Sequence, residues 1–363
     1  MPRLILRRAT LPVLQRPHTI RQRVRRATVR VALLSLILWA GAASLQFSAS
    51  ATAFAAPLAT ADDWPTFLHD PARSAASGDT TLSTTNAAQL AKLWSYKTGG
   101  VVAASPTIVA GTVYVGSWDG YEYALDAATG ALKWKTYLGV TNAPGCSPPS
   151  AGISSAATVL NSVVYVGGGD SNWYALDATT GAILWSVYTG DNSATGGHYN
   201  WASPLIYNGS AYIGIASLGD CPLVQGQLLR VDLTTHQIVA TYNVVPNGQV
   251  GGGIWTSPAL DTATNTIYVT TGTENNTSQL YAQALLALDG TTLTLKDSWK
   301  LPESLAVTDS DFGTTPILFS DAAGDQLVGA INKNGMFYAF KRNNLAGGPF
   351  WQQQVAVGGD CPQ

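Results

Sequence analysis

The sequence predicts an all-β fold, a β-propeller of four-stranded blades, and three observations predict it. The first is composition. Of 363 residues only 12% are charged, while Gly (36), Trp (11) and Tyr (15) are plentiful, as expected of a Gly-turned β protein rather than a helical one. The second is one stretch, GTVYVGSWDGYEYALDAATGALKW, at residues 111–134. Val113, Tyr114 and Val115 are β-branched or aromatic, as strand residues tend to be. Asp119-Gly120 is a hairpin dipeptide, because Gly tolerates the positive φ such turns need. Residues 121–125 form the return strand, residues 126–130 a second turn, and Leu132 to Trp134 open a third strand. The third observation is that this unit, which cannot bury its apolar face alone, recurs.

Taken in order, the chain opens on a charge asymmetry. Arg3, Arg7, Arg8, Arg16, Arg21, Arg23, Arg25, Arg26 and Arg30 precede the apolar run VALLSLILWAGAA, and no acidic residue appears before Asp62. Ala53-Phe54-Ala55 then gives a small-residue cleavage pattern. Basic, apolar and small-residue regions in this order predict an export signal over residues 1–55, cleaved near Ala55. An uncleaved membrane anchor is the alternative, since the apolar stretch can reach about 20 residues. Residues 56–98 read as a leading segment ending in a strand at 93–96, and residues 99–363 as the propeller.

Val113 begins VYVGSWDGYEYALDAATGALKW, and VYVGGGDSNWYALDATTGAILW returns from Val164, 51 residues on. Weaker copies begin at Ala211, Ile267 and Leu327. Ser105-Pro106, Ser203-Pro204, Ser257-Pro258 and Thr315-Pro316 precede four of the copies, with Ala156-Ala157 before the second. Four short strands per unit of roughly 50 residues is the pattern of propeller blades rather than a solenoid. Trp94, Trp134, Trp185, Trp299 and Trp351 recur at the unit ends and read as core or blade-docking residues. Five copies are present, and the reading expects a longer natural chain with two or three further blades.

Net charge of −2 and pI near 6 give no reason to expect nucleic acid as a partner. The three cysteines, Cys146, Cys221 and Cys361, would meet an oxidising compartment after export. Cys146 and Cys221 lie in Gly/Pro-rich loops where a disulfide between them would be feasible. The four His are scattered, and no HExxH, GxSxG, Walker or strand-linked GxGxxG pattern occurs.

The VYVGS…YALDAATG…W unit resembles the repeat of quinoprotein propellers, which bind pyrroloquinoline quinone (PQQ). DDWPTFLHDPARS, from Asp62, resembles the opening of the polyvinyl-alcohol-dehydrogenase-like branch. The resemblance implies a PQQ floor at Trp255, in GGGIWTSPAL, where an indole suits a flat, electron-poor tricycle. It also implies that Lys333, in NKNG, contacts the quinone oxygens and stabilises negative charge there. In AVTDSDFGTTPIL, Asp309 and Asp311 are either ligands or turn residues, with the turn preferred.

The sequence departs from the family pattern at the calcium site. The family's Glu position falls on Cys221, beside Asp220. Its Asn position falls on Thr273, just before Glu274. Its base position falls on Ser278, which is no general base without help. A one-residue slip makes Asp220 and Glu274 the candidate Ca²⁺ ligands. The adjacent-cysteine pair of many such dehydrogenases and a CxxCH haem motif are absent.

Two functions follow. The first is an exported PQQ-dependent dehydrogenase, with Ca²⁺, acting on a small-molecule alcohol or sugar. The second is a non-catalytic propeller at the cell surface that binds a protein or carbohydrate partner on its face. No nucleic acid is expected, and a membrane only through an uncleaved signal.

Overall fold

The structure, a computed structural model, describes residues 63–359. The predicted export signal and Cys361 lie outside the described residues. Among the described residues no helix is long and apolar enough to cross a membrane.

Five four-stranded antiparallel sheets follow one another along the chain, each with its strands in sequence order. The first holds Thr107–Val109, Thr112–Gly116, Tyr121–Asp126 and Leu132–Tyr137. The second holds Thr158–Leu160, Val163–Gly167, Asn172–Asp177 and Ile183–Tyr188. The third holds Leu205–Tyr207, Ser210–Ser217, Gln227–Asp232 and Gln237–Asn243, extended by a short pairing of His198–Tyr199. Ala259–Asp261, Thr266–Thr270, Ala284–Asp289 and Leu295–Lys300 make the fourth. Ile317–Ser320, Gln326–Ile331, Met336–Lys341 and Trp351–Gln354 make the fifth. These are the blades of the expected propeller. The leading strand expected at 93–96 does not form, because that stretch finds no ladder partner, although Trp94 and Tyr96 pack on the first sheet.

The period-2 alternation of each second strand explains the stacking. Val113 and Val115 face Trp94 and Tyr96, while Tyr114 faces Val164 and Val166 of the second sheet. Tyr165 and Trp173 then meet Ile213 and Ile215 of the third. Tyr212 and Leu228 meet Ile267 and Val269 of the fourth. Tyr268 and Leu285 meet Val328 and Tyr338 of the fifth. Strands buried on both faces read as continuous apolar runs such as TVYVG, while the fourth strands lie at the rim and alternate towards solvent.

The tryptophans dock blades as expected. Trp94 Nε1 donates to the Ala127 carbonyl at 2.8 Å and Trp134 Nε1 to the Ala178 carbonyl at 3.0 Å. Each indole lies on the glycine of the next unit's turn. Gly130 and Gly181 both have φ +72°, and a Cβ there would stand 2.6 Å from the Trp94 or Trp134 ring. Where the third unit puts His236 in that place, the imidazole stacks on Trp185 at 4.3 Å. Trp351 ends the series differently. It stacks on Phe337 on the far face of the fifth sheet and stays 40% exposed.

The Ser/Thr-Pro steps have a physical role too. The Thr315 hydroxyl accepts from the Ser257 N–H, the Ser257 hydroxyl from the Ser203 N–H, and the Ser203 hydroxyl from the Ala156 N–H, at 2.9–3.0 Å. These bonds stitch the innermost ends of four consecutive blades. Ala156 carries no hydroxyl, so the series stops at the second blade. The leading segment fills the hub: Trp64 pairs with Ile108, the Pro71 carbonyl accepts from Leu260, and the Ala72 carbonyl accepts from Leu318. Arg73, fully buried, donates to the carbonyls of Pro258, Pro204 and Phe67 and to the Thr66 hydroxyl. Without a carboxylate in that set, burial lowers its pKa to about 9.

Candidate functional site

Because strands alternate in direction, the loop after each second strand and the loop before each first strand open on the same end of the blades. Loops of the third, fourth and fifth blades meet there around a cavity of about 330 Å³. Trp255 reaches it from the segment before the fourth sheet and Asp311 from the segment before the fifth. Asp220 and Lys333 come from the second turns of the third and fifth sheets, and Thr273 follows the second strand of the fourth.

Three of the four predicted site residues converge on this cavity: Trp255, Lys333 and Asp220. Glu274 does not line it. Its carboxylate lies 2.6 Å from Lys300 Nζ, and this ion pair, with both side chains largely buried, turns it away. Ser278 is exposed, with its hydroxyl on Asn276.

The residue passed over as a turn residue occupies the centre. Asp311 is 4% exposed. Its carboxylate accepts from Trp255 Nε1 at 3.2 Å and Thr273 Oγ1 at 3.0 Å, and Lys333 Nζ stands 3.4 Å away. Burial raises its pKa to about 6, and the nearby carboxylates of Asp309 and Asp220 add to the rise while Lys333 opposes it. The Lys333 ammonium is pulled down by burial, but Asp311 and Asp309 outweigh that and hold it above its ordinary value. Lys333 bonds Asp309 at 2.6 Å and lies 5.2 Å from the centre of the Trp255 ring.

The backbone sets this geometry. The Lys333 N–H donates to the Asp311 carbonyl at 2.8 Å, and Phe312 bridges to Asn332. Buried Asn332 donates from its amide to the Ser310 carbonyl. The acidic segment is thus bridged to the NKNG turn at Phe312, which holds Asp311 inward, while Asp309, with a left-handed backbone at φ +56°, stays exposed on the outer side of Lys333. No alternation in DSDF announces this, since Ser310, Asp311 and Phe312 are all buried in succession and residues two apart would share one face of a strand.

The residues fit a flat, electron-poor ligand. Trp255 offers a half-buried ring, and glycines keep the space beside it open. A Cβ at Gly272 would stand 3.0 Å from both Trp255 Nε1 and Asp311 Oδ2. A cation is served less completely. Asp220, Thr273 and Asp311 form one chain of oxygens, with the single Thr273 hydroxyl proton shared between Asp220 Oδ2 at 2.5 Å and Asp311 Oδ1 at 3.0 Å. Among the described residues no cluster of three or more His, Cys, Asp or Glu forms a metal site. The oxygens suit a hard cation only if a bound ligand completes its shell. Cys146 and Cys221 form a disulfide, with Cα atoms 5.5 Å apart, at the rim of the same cavity.

The family model described as outer membrane protein assembly factor BamB (PQQ_2) matches residues 78–353. Quinohemoprotein alcohol dehydrogenase of Comamonas testosteroni is 26% identical over 331 residues, covering 78% of this chain and 45% of the relative. Polyvinylalcohol dehydrogenase of a Sphingopyxis species is 25% identical over 309 residues, covering 73% and 46%. The chain therefore spans about half the length of these curated relatives. Among solved structures, the quinohemoprotein alcohol dehydrogenase ADHIIG of Pseudomonas putida superposes with a TM-score of 0.70 at 23% identity, over 81% of this chain and 48% of that one. A europium-containing methanol dehydrogenase gives 0.68 at 20% identity, over 81% and 58%. At these identities the structural likeness speaks for the propeller fold.

Proposed function

The chain belongs to the PQQ_2 repeat family and has a quinoprotein-dehydrogenase-like propeller, and from that premise we propose that it is a PQQ-dependent dehydrogenase oxidising a hydroxyl group of an alcohol or sugar. The observation that carries this reading is the convergence of Trp255, Lys333 and Asp311 in one cavity. A buried carboxylate raised to about 6 beside a cation and an open aromatic face is an arrangement that concentrates at functional sites.

In this reading Trp255 is the floor on which PQQ stacks. PQQ would supply the electron-accepting o-quinone. Lys333, oriented by Asp309, offers its ammonium to developing negative charge. Asp311 accepts the hydroxyl proton of the substrate on its carboxylate. A pKa near 6 leaves it ionised at neutral pH yet basic enough to bind a proton in passing. Asp220 and Thr273 would hold Ca²⁺ together with the quinone, which leaves Asp311 free as the base. We assign the protein to an exported location, in keeping with the Arg-rich, apolar leader and with a disulfide that needs an oxidising compartment.

The test is titration of the full-length protein with PQQ, with and without Ca²⁺, following tryptophan fluorescence, quinone absorbance and dye reduction with simple alcohols and sugars. Saturable PQQ binding with substrate-dependent dye reduction is expected. Absence of saturable binding overturns the enzyme reading.

A further inference from the structure

The Cys146–Cys221 bridge joins two parts of the chain whose bases also meet in a small apolar cluster of Ala143, Ala151, Tyr199 and Leu218. Cys146 sits at the tip of an arm between the first and second sheets, built on a two-stranded ribbon of Thr141–Asn142 and Ser150–Ala151. Its base is fixed. Thr141 Oγ1 donates to the Gly169 carbonyl at 2.6 Å, and Ala151 is fully buried. Cys221 lies in the second turn of the third sheet, 75 residues further on. It directly follows Asp220, an exposed acidic residue of the candidate site.

The Asp220 turn is poorly held by its own sequence. Gly219 and Asp220 both have left-handed backbones, with φ of +62° and +56°. Asp has no ease of Gly there, and consecutive residues in that region persist only where the surroundings fix them. Asp220 is exposed at the rim, and its carboxylate is restrained by two hydroxyls alone, Ser217 at 2.7 Å and Thr273 at 2.5 Å. The arm supplies what the turn lacks. A Cβ on Gly219 would stand 2.5 Å from the Ser147 carbonyl, so the two loops touch backbone to backbone beside the bridge. Ser147, Gly219 and Asp220 line the cavity together.

We propose that the Cys146–Cys221 bridge is the positioning element for Asp220, so that cation affinity at the cavity depends on the bridge being closed. This rests on the functional reading above for the cation, but the positioning itself does not. Opening the bridge with an external dithiol transfers two electrons and two protons. The dithiol closes to its own disulfide and both cysteines become thiols, which frees the arm from the turn. In an oxidising compartment the site is closed and competent, and under reducing conditions Asp220 leaves its place.

Three full-length proteins test this: wild type, the double variant Cys146→Ser/Cys221→Ser, and Asp220→Asn. Wild type is also measured after dithiothreitol treatment. Hydrogen exchange over residues 217–222 reads the position of the turn without any ligand. Tryptophan-sensitised luminescence of added Tb³⁺, with PQQ present, reads the cation. The opened and double-variant proteins should exchange at least tenfold faster in that turn, with the blade strands unchanged, and bind Tb³⁺ at least tenfold more weakly. Asp220→Asn should lose Tb³⁺ affinity while keeping slow exchange. Unchanged exchange in the opened protein overturns the proposal, and so does faster exchange with Tb³⁺ affinity kept. Faster exchange in a protein that binds neither PQQ nor Tb³⁺ even when closed upholds the positioning role and sinks the functional reading instead.

Discussion

Trp255 Nε1 donates to the carboxylate of Asp311 at 3.2 Å across 56 residues of sequence. The bond ties the proposed cofactor floor to the proposed base, so the ring cannot tilt without moving the carboxylate. Lys333, beside both, completes a group in which each member alters the chemistry of the others.

Asp311→Asn should reduce turnover by about 10² to 10⁴, the usual worth of a general base, while PQQ still quenches tryptophan fluorescence. Wild-type turnover should climb as pH rises through about 6, as Asp311 ionises. Stability runs the other way. The folded pKa lies above the ordinary 3.8, so this carboxyl's contribution is full below that value and is lost as pH rises through about 6. Melting curves should show Asp311→Asn stabilised relative to wild type at pH 8 and not at pH 3.5. A variant with wild-type turnover would remove Asp311 from the chemistry.

Lys333→Gln should move the acid limb of the pH–rate profile upward. The ammonium holds the Asp311 pKa down against burial, and its loss lets the carboxyl rise further. Trp255→Ala should weaken PQQ binding about tenfold, in line with the worth of an aromatic stacking partner. An unshifted limb in Lys333→Gln would mean that the two groups do not share a field.

Blade docking predicts a coupling. Trp134, 8% exposed, rests on Gly181. Trp134→Ala should cost about 3–5 kcal/mol. Gly181→Ala should cost about 1–3 kcal/mol, because φ is +72° there and the new Cβ would press on the indole at 2.6 Å. Urea denaturation of the double variant should show less than the sum, since removing the indole relieves the clash. Strict additivity would contradict the contact.

Glu122 is fully buried on the third strand of the first sheet, opposite Gly116, and neither carboxylate oxygen has a hydrogen-bond partner. Burial pushes its pKa well above the ordinary value, so the fold favours its neutral form. Its stabilising contribution is therefore full at low pH and lost as pH rises. Glu122→Gln should melt higher than wild type at pH 8, with the gap closing towards pH 4. A gap that stays constant with pH would indicate that the carboxyl is ionised in the folded protein.

Much of the fold was legible because each blade repeats its own local instructions. Asp126, Asp177, Asp232 and Asp289 each accept from the backbone N–H groups two and three residues on. Those turns, with the strand alternation, are encoded within a few residues. The recurrent tryptophans and Ser/Thr-Pro steps were visible as patterns, and the structure gave them partners.

The site was legible only in part. Trp255, Lys333 and Asp220 were found through resemblance and stand together. Glu274, one residue from Thr273, was drawn off by Lys300, a partner 26 residues away that no local pattern announces. Asp309 and Asp311 look alike in sequence. They differ because Asp309 has a left-handed backbone and stays exposed, while the bridge of Phe312 to Asn332 draws Asp311 under the fifth blade's turn. By itself, the sequence determined the blades and their order, since these depend on short-range turns and a period-2 pattern. Tertiary structure alone decided which carboxylate became the buried one and which loop the disulfide would brace, because burial and proximity arise only when separate blades meet.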